Sequence, residues 1–353
     1  MQLKSLERPF SVSFEITSKC DLECSFCSAC LSEYGRDDLT TNQILKVILR
    51  LANEKILSLF ITGGEPFQRS DLPQIISKCT KHRIKITLST NGLHVYREAA
   101  QRMFDAGLDE IQLSLHGMHN THDTIVGLQG AFERASEGLK NLIDAGICVS
   151  VASVGMKCNQ NELPTLARTV AGCGAKYFRL LRLMPHSQEM LANQINAPDM
   201  IRLAEQLTSV QDEYEGFTVR IHTAPGLEDE RFWTSQEHKL VHPLCHTCTA
   251  GKLSMGILSN GDCVPCLEMK APKFLCGNIF KDDVQEIWNS SAMVSFRDVC
   301  PEKYEAECGK CDARWTCYSA RCTAYHLTGN ILADDPTCYI INDSKNYNGT
   351  DNA

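Results

Sequence analysis

Apolar and polar positions alternate along residues 11–17, the period of two expected of a strand, and short apolar-rich runs over 56–62, 84–89, 110–115, 147–154 and 176–183 also read as strands. Between these runs, over 41–54, 71–82, 94–106, 131–145 and 160–172, apolar residues recur every three or four positions, which predicts amphipathic helices. Gly107, Gly146 and Gly174 stand where helix-ending caps belong. Six strand–helix repeats imply parallel strands, so the first half reads as an α/β partial (β/α)6 barrel with ligands at the carboxyl ends of its strands. A helix from Pro198 to about Glu213 and a strand near 217–222 follow, and Pro225-Gly226 breaks the chain. The expected units are a lead-in over 1–10, the barrel over 11–184, a bridging segment over 185–240, a small irregular domain over 241–340 and a polar tail over 341–353.

Composition narrows the class. The chain has 353 residues, 43% of them hydrophobic, enough for a large core plus a second domain. Residues 1–10, MQLKSLERPF, lack the apolar region of an export signal, and no window approaches eighteen apolar residues, so the expectation is a cytoplasmic protein without membrane attachment. Its 19 cysteines are then reduced and open to metal. The net charge of −8, with no basic cluster, argues against sequence-independent nucleic-acid binding, which phosphate neutralisation drives.

The chemistry begins where the first strand ends. Cys20, Cys24 and Cys27 stand at C-x3-C-x2-C with Phe26 before the last, and Gly63-Gly64-Glu65-Pro66 ends the second strand. Chance alone would produce roughly 0.05 such triplets at this cysteine content, so the neighbouring glycine segment carries much of the weight. Three thiolates hold only three irons of a [4Fe-4S] cube and leave one open. Structural zinc would want four ligands in short loops, and Cys30 is the only rival nearby.

Together these motifs resemble the radical S-adenosylmethionine (SAM) superfamily. The resemblance implies that Cys20, Cys24 and Cys27 hold a cluster whose open iron is chelated by SAM. It also implies that the backbone of Gly63, Gly64, Glu65 and Pro66 receives the SAM amino group, that Phe26 flanks the cofactor, and that Asn91 and Ser114, at the ends of strands three and four, contact its ribose and methionine portions. Reduction then cleaves SAM to a 5′-deoxyadenosyl radical, with the cofactor performing the hard step. His122, Asp123, Gly127, Gly130 and Phe132 match a further stretch of the family pattern, but Val126 stands where many relatives carry Arg, which removes a cation from that place. No role is assigned to His116, His119 or His122, and no catalytic acid or base is identified.

From Cys245 onward cysteines crowd: Cys248, Cys266, Cys308, Cys311, Cys317, Cys322 and Cys338. With Ala250-Gly251, Asn260-Gly261-Asp262 and Glu286-Ile287-Trp288, this resembles the SPASM domain, an auxiliary-cluster extension of radical SAM enzymes that mature peptides and peptide-derived cofactors. The resemblance implies one cluster on Cys308, Cys311, Cys317 and Cys338 and another on Cys248, Cys266 and Cys322, three [4Fe-4S] clusters in all. Ser254 occupies the position where sulfatase-maturing relatives supply a further ligand. The second cluster therefore has an open iron or recruits Cys245 or Cys263; strand alternation turns Cys263 away from Cys266, leaving Cys245 the better choice. Cys79, Cys148, Cys158, Cys173, Cys276 and Cys300 read as buried hydrophobes.

The resulting expectation is an enzyme that abstracts hydrogen from a substrate held between barrel and SPASM domain, most simply a ribosomally made precursor peptide, giving a crosslink or oxidised residue. The resemblance implies a flavodoxin-like or ferredoxin-like reductant. Because the first strand starts by residue 11, a separate leader-peptide-binding protein is expected as a partner. The alternatives are a radical epimerase, dehydrogenase or decarboxylase acting on a small molecule such as a sugar, an alcohol or a haem precursor, then a formylglycine maturase, and, outside catalysis, an iron-sulfur electron carrier, which would leave the Gly-Gly-Glu-Pro segment unexplained.

Overall fold

The computed structural model describes residues 6–29, 37–222, 248–315, 317 and 320–342. Its strands are β1 (Ser11–Glu15), β2 (Ser58–Thr62), β3 (Lys85–Thr90), β4 (Glu110–Ser114), β5 (Cys148–Gly155), β6 (Tyr177–Arg182), β7 (Thr218–Ile221), β8 (Ser254–Ile257), β9 (Asp262–Val264) and β10 (Gly277–Asn278). The helices of the first half are α1 (Thr41–Asn53), α2 (Leu72–Lys81), α3 (Arg97–Asp105), α4 (His119–Val126), α5 (Ala131–Asp144), α6 (Leu163–Gly172), α7 (Gln188–Ala192) and α8 (Ala197–Glu213). Four short helices follow: α9 (Val284–Trp288), α10 (Ser291–Arg297), α11 (Ala306–Lys310) and α12 (Arg321–Thr328).

Strands β1 to β7 run parallel and side by side in sequence order. Alternation explains the face these strands turn toward the helices: Val12, Phe14, Leu59, Ile61, Leu88, Ile111 and Leu113 are each at most 1% exposed. β5 is buried along almost its whole length, as befits a strand covered on both faces. α1 shows how the outer layer forms. Thr40 and Gln43 make a capping box, and Ile44, Val47, Ile48 and Leu51 line the buried stripe, so sequence spacing and tertiary burial agree. Gly107, Gly146 and Gly174 have positive φ just beyond α3, α5 and α6.

Two features differ from the sequence expectation. The strand in the bridging segment is no isolated piece: β7 pairs with β6 through Phe178 and Val219 and adds a seventh parallel strand. The cysteine-rich region does not stand apart either, because β8 pairs parallel with β1, aligning Val12 with Met255 and Phe14 with Ile257. β9 and β10 extend that edge antiparallel, giving one ten-stranded sheet. Polar clamps fasten the seam. Arg50 donates to the Ile279 and Asp282 carbonyls and the buried Trp288 indole donates to the Leu6 carbonyl at 2.8 Å, while inside the cysteine-rich region Arg297 spans the Gly251 and Trp288 carbonyls.

Candidate functional site

The carboxyl ends of β1 to β6 surround a cavity of about 370 Å3. On one side runs the cysteine loop. Its entry is fixed by Asp38, which accepts from the Thr17 hydroxyl and the Ser18 N–H. Its far stretch pairs with the last turn of α4, where Glu23 N–H donates to the Val126 carbonyl at 3.0 Å and Ser25 N–H to the Ile125 carbonyl at 2.9 Å. Cys20, Cys24 and Cys27 all line the cavity, with Phe26 beside them.

The glycine segment packs backbone to backbone against that loop. Gly64 N–H donates to the Thr17 carbonyl at 2.8 Å and Glu65 N–H to the Lys19 carbonyl at 2.6 Å. A Cβ on Gly63, whose φ is +144°, would lie 2.3 Å from the Thr17 oxygen, and one on Gly64 1.9 Å from the Lys19 oxygen. Any side chain would push the loop away. With those two N–H groups committed, carbonyls are what the segment can offer to a ligand's amino group.

Gly63, Gly64, Glu65, Asn91 and Ser114 line the same cavity, whereas Pro66 does not: it is buried and opens the helical turn Pro66–Gln68. The Glu65 carboxylate, 1% exposed, accepts from Phe67 N–H, Thr90 Oγ1 and Asn91 N–H, and burial pushes its pKa up to about 7. The Asn91 side chain donates to Asp21 at 3.1 Å, and His94 pairs with the same carboxylate at 2.9 Å. The end of β3 therefore grips the cysteine loop as well as facing the cavity.

α4 was not legible as a helix, being short and polar at its start. It sets Asp123, which accepts from Gly130 N–H at 2.6 Å and Phe132 N–H at 2.8 Å, so the acid and glycines of the His122–Phe132 stretch shape the turn into α5. Val126 is buried against the cysteine loop and lines the cavity. Across the cavity, sequence reasoning missed a polar wall shared by the barrel and the cysteine-rich domain. Lys270 pairs with Glu15 on β1, while Glu268 accepts from Ser28 at 3.0 Å and faces His186 at 3.3 Å. Arg182, ending β6, lies 3.6 Å from Asp335. No motif flags these residues; only the proximity of Glu268 to Cys266 hints at them.

Two thiol groups lie beyond. Cys248, Cys266 and Cys322 pack with Met269, Phe274 and Phe296. Burial and the neighbouring thiols push Cys322 well up and Cys266 to about 12; buried sulfurs that repel one another as thiolates are those a metal's positive charge stabilises. Cys308 and Cys338 pack with Tyr304 and Ile341, and Cys317 lies close enough to act on the Tyr304 phenol. Cys311 caps α11, half-buried. Among the described residues, no three His, Cys, Asp or Glu side chains converge as they would on a single metal ion.

Cys245, the candidate weighed against an open iron as the fourth ligand, lies outside the described residues, as does Cys30. Cys263 is buried beside Cys276, and the Ser254 hydroxyl is engaged with Thr249 at 3.1 Å. Of the cysteines read as buried hydrophobes, Cys79 and Cys276 are buried, Cys148, Cys173 and Cys300 only partly so, and Cys158 is exposed, because it lies on the turn after β5 rather than on a packed element.

Residues 14–170 match the radical SAM superfamily model, and residues 245–312 match SPASM, an iron-sulfur cluster-binding domain. The chain is 26% identical to an AdoMet-dependent heme synthase of Methanosarcina barkeri, over 94% of this chain and 96% of that protein. It is 27% identical to the mycofactocin maturase MftC of Mycobacterium tuberculosis, over 95% and 84%. Its fold resembles the crystal structure of Streptococcus suis SuiB bound to precursor peptide SuiA, with a TM-score of 0.74 at 19% identity, covering 94% of this chain and 76% of that one. Among the described residues no helix is long and apolar enough to cross a membrane. Matched by both models, in the order and at the places where its two cysteine-rich regions lie, the chain carries a radical SAM segment over residues 14–170 and, on its carboxyl-terminal side, a SPASM segment over residues 245–312.

Proposed function

We propose that this enzyme cleaves SAM reductively and abstracts hydrogen from a precursor peptide, forming a crosslink or an oxidised residue. The observation that carries the first step is the convergence of Cys20, Cys24 and Cys27 with Gly63, Gly64, Asn91 and Ser114 around one cavity. These residues fit the cofactors: three thiols leave one iron open, and the side-chain-free glycines keep the wall beside it clear. When bound, the cluster and SAM supply a 5′-deoxyadenosyl radical after one-electron reduction by a flavodoxin-like or ferredoxin-like donor.

The chain's own residues bind and orient. Asp38, Val126 and Glu65 hold the cysteine loop and the strand ends in place, and the wall of Glu15, Ser28, His186 and Glu268 bounds the substrate's side of the cavity. Cys248, Cys266 and Cys322, and separately Cys308, Cys311, Cys317 and Cys338, would hold two auxiliary [4Fe-4S] clusters in a path for the electron left after bond formation. The peptide substrate is supported by similarity to relatives named mycofactocin maturase and PqqA peptide cyclase, and a separate leader-binding protein is proposed with it.

The heme synthase relative, matched over nearly its whole length, favours a second reading, in which the substrate is a small molecule such as a haem precursor, a sugar or an alcohol. The test is incubation of anaerobically reconstituted enzyme with SAM and dithionite, with and without any short peptide found encoded beside its gene. Formation of 5′-deoxyadenosine supports the chemistry, and a peptide mass loss of hydrogen pairs supports the substrate. No 5′-deoxyadenosine under any condition would leave only the electron-carrier reading.

A further inference from the structure

His116 follows β4, His122 lies in α4, and both rings line the cavity although the residues are only 4% and 2% exposed. The His122 Nδ1 accepts the His116 backbone N–H at 3.1 Å, and the His116 Nδ1 accepts the Val154 backbone N–H at 3.2 Å. A ring nitrogen that accepts carries no proton, so the hydrogen-bond network assigns each neutral imidazole its hydrogen on Nε2. Burial depresses both pKa values, His116 to about 3 and His122 to about 4, so the rings stay uncharged near neutral pH. Among the described residues neither Nε2–H has a partner, and neither is sealed inside the protein. Both are open donors.

The surroundings hold this pair rigidly. The rings stack at 5.8 Å and 17°, and Phe26 packs edge-on against His116 at 4.6 Å. The Asn159 amide, 1% exposed, donates to the His116 carbonyl at 2.7 Å and the Val154 carbonyl at 2.8 Å, while its oxygen accepts Met156 N–H at 2.8 Å. Asn159 thereby fixes the ends of β4 and β5 relative to one another and keeps the Val154 N–H aimed at His116. With Leu22, Val126 and Val154 also lining the cavity, the two rings present uncharged N–H donors among apolar and aromatic side chains. A flat heteroaromatic base has acceptor nitrogens for such donors, and two neutral imidazoles do not oppose a sulfonium cation as imidazolium rings would.

We propose that His116 and His122 are neutral N–H donors to acceptor atoms of the adenosine half of SAM, with Asn159 as the positioning residue that sets them. This rests on the reading that SAM binds at the loop of Cys20, Cys24 and Cys27. The test is equilibrium dialysis of SAM, 5′-deoxyadenosine and methionine against anaerobically reconstituted enzyme, with iron content and melting temperature measured on each variant. His116→Asn and His122→Asn keep an acceptor near the Nδ1 position but remove the outer donor. Each is expected to weaken SAM and 5′-deoxyadenosine about tenfold, the usual worth of one hydrogen bond, and to leave methionine unchanged. His116→Gln, which restores a donor near the Nε2 position, should recover most of that loss. Asn159→Asp should weaken 5′-deoxyadenosine selectively, a pattern that general loosening would not produce. Wild-type affinity for both nucleosides in the two Asn variants, or a loss confined to methionine, would overturn the assignment. Should His116→Asn lose its clusters, His122→Asn carries the same test. Wild-type enzyme that binds no SAM would instead sink the underlying reading, so the two failures are told apart.

Discussion

The Glu65 carboxylate accepts the Asn91 backbone N–H at 2.6 Å, tying the end of β2 to the end of β3 beneath the cavity. Thr90 Oγ1 and Phe67 N–H fill the other oxygen, so an acid of the glycine segment works as a bracket between strands. Asn91 in turn reaches Asp21 on the cysteine loop. Geometry at the thiols thus depends on a carboxylate at the end of the next strand.

Glu65 should make the fold sensitive to pH. Its pKa is raised from 4.5 to about 7 by burial, so the folded state holds the proton more tightly than the unfolded one. Stability from this group is fully present below about pH 4.5 and is lost as pH rises through 7, amounting to about 3 kcal/mol across that window. Infrared difference spectra should show a protonated carboxyl band that titrates near pH 7 and is absent from Glu65→Gln. A wild-type band that disappears near pH 4.5 would contradict the shift. Glu65→Ala, which orphans three buried donors, should cost about 2–4 kcal/mol by denaturant melt and weaken SAM binding with it.

Replacing Cys20, Cys24 and Cys27 together by Ala should lower reconstituted iron by about four of roughly twelve atoms, and abolish 5′-deoxyadenosine formation. Iron analysis and chromatography of the reaction check this directly. A triple variant that still cleaves SAM would show that the loop is not the site of cleavage.

The sequence made the repeats legible because most strands and helices of the barrel obey their own period, from Val12 and Phe14 on β1 to Ile44 and Ile48 on α1. The cysteine loop and Gly63-Gly64 were legible because their chemistry tolerates few other residues. What stayed hidden is what only the third dimension brings together. β8 reaches β1 from more than two hundred residues away, and a four-residue strand such as β7 carries no sign of its neighbour. The imidazoles of His116 and His122 acquire their fixed tautomers from backbone N–H groups, one of them on a different strand. Glu268 and Lys270 read as ordinary charges until Ser28 and Glu15 are placed opposite them. Pro66 matched the motif, yet its place is the start of a turn.

Cys311→Ala should separate initiation from product formation. Cys311 lies in the SPASM segment with Cys308, whereas the proposed site of initiation is the cysteine loop on the barrel. Iron is expected to fall by about four atoms while SAM still yields 5′-deoxyadenosine uncoupled from product. Complete loss of cleavage in a folded variant that retains its barrel cluster would show that the two sites do not divide the work.

Arg321 joins the two auxiliary thiol groups. It is 1% exposed, donates to the Ala333 carbonyl at 2.8 Å, lies over the Tyr304 ring at 4.4 Å and approaches the Cys308 sulfur at 3.9 Å. The next residue in the chain, Cys322, belongs to the other thiol group. A fixed cation beside Cys308 favours its thiolate form, and its planar fork serves several partners at once, which a lysine ammonium cannot match. Arg321→Met should therefore lose about four irons from the Cys308 side and leave the barrel cluster able to cleave SAM. Arg321→Lys should retain part of that iron, because the charge survives while the fork is lost. The measurement is iron content together with electron paramagnetic resonance of the reduced clusters. Full iron and unchanged spectra in Arg321→Met would mean that the guanidinium only packs there, and that thiolate formation at Cys308 needs no help from it.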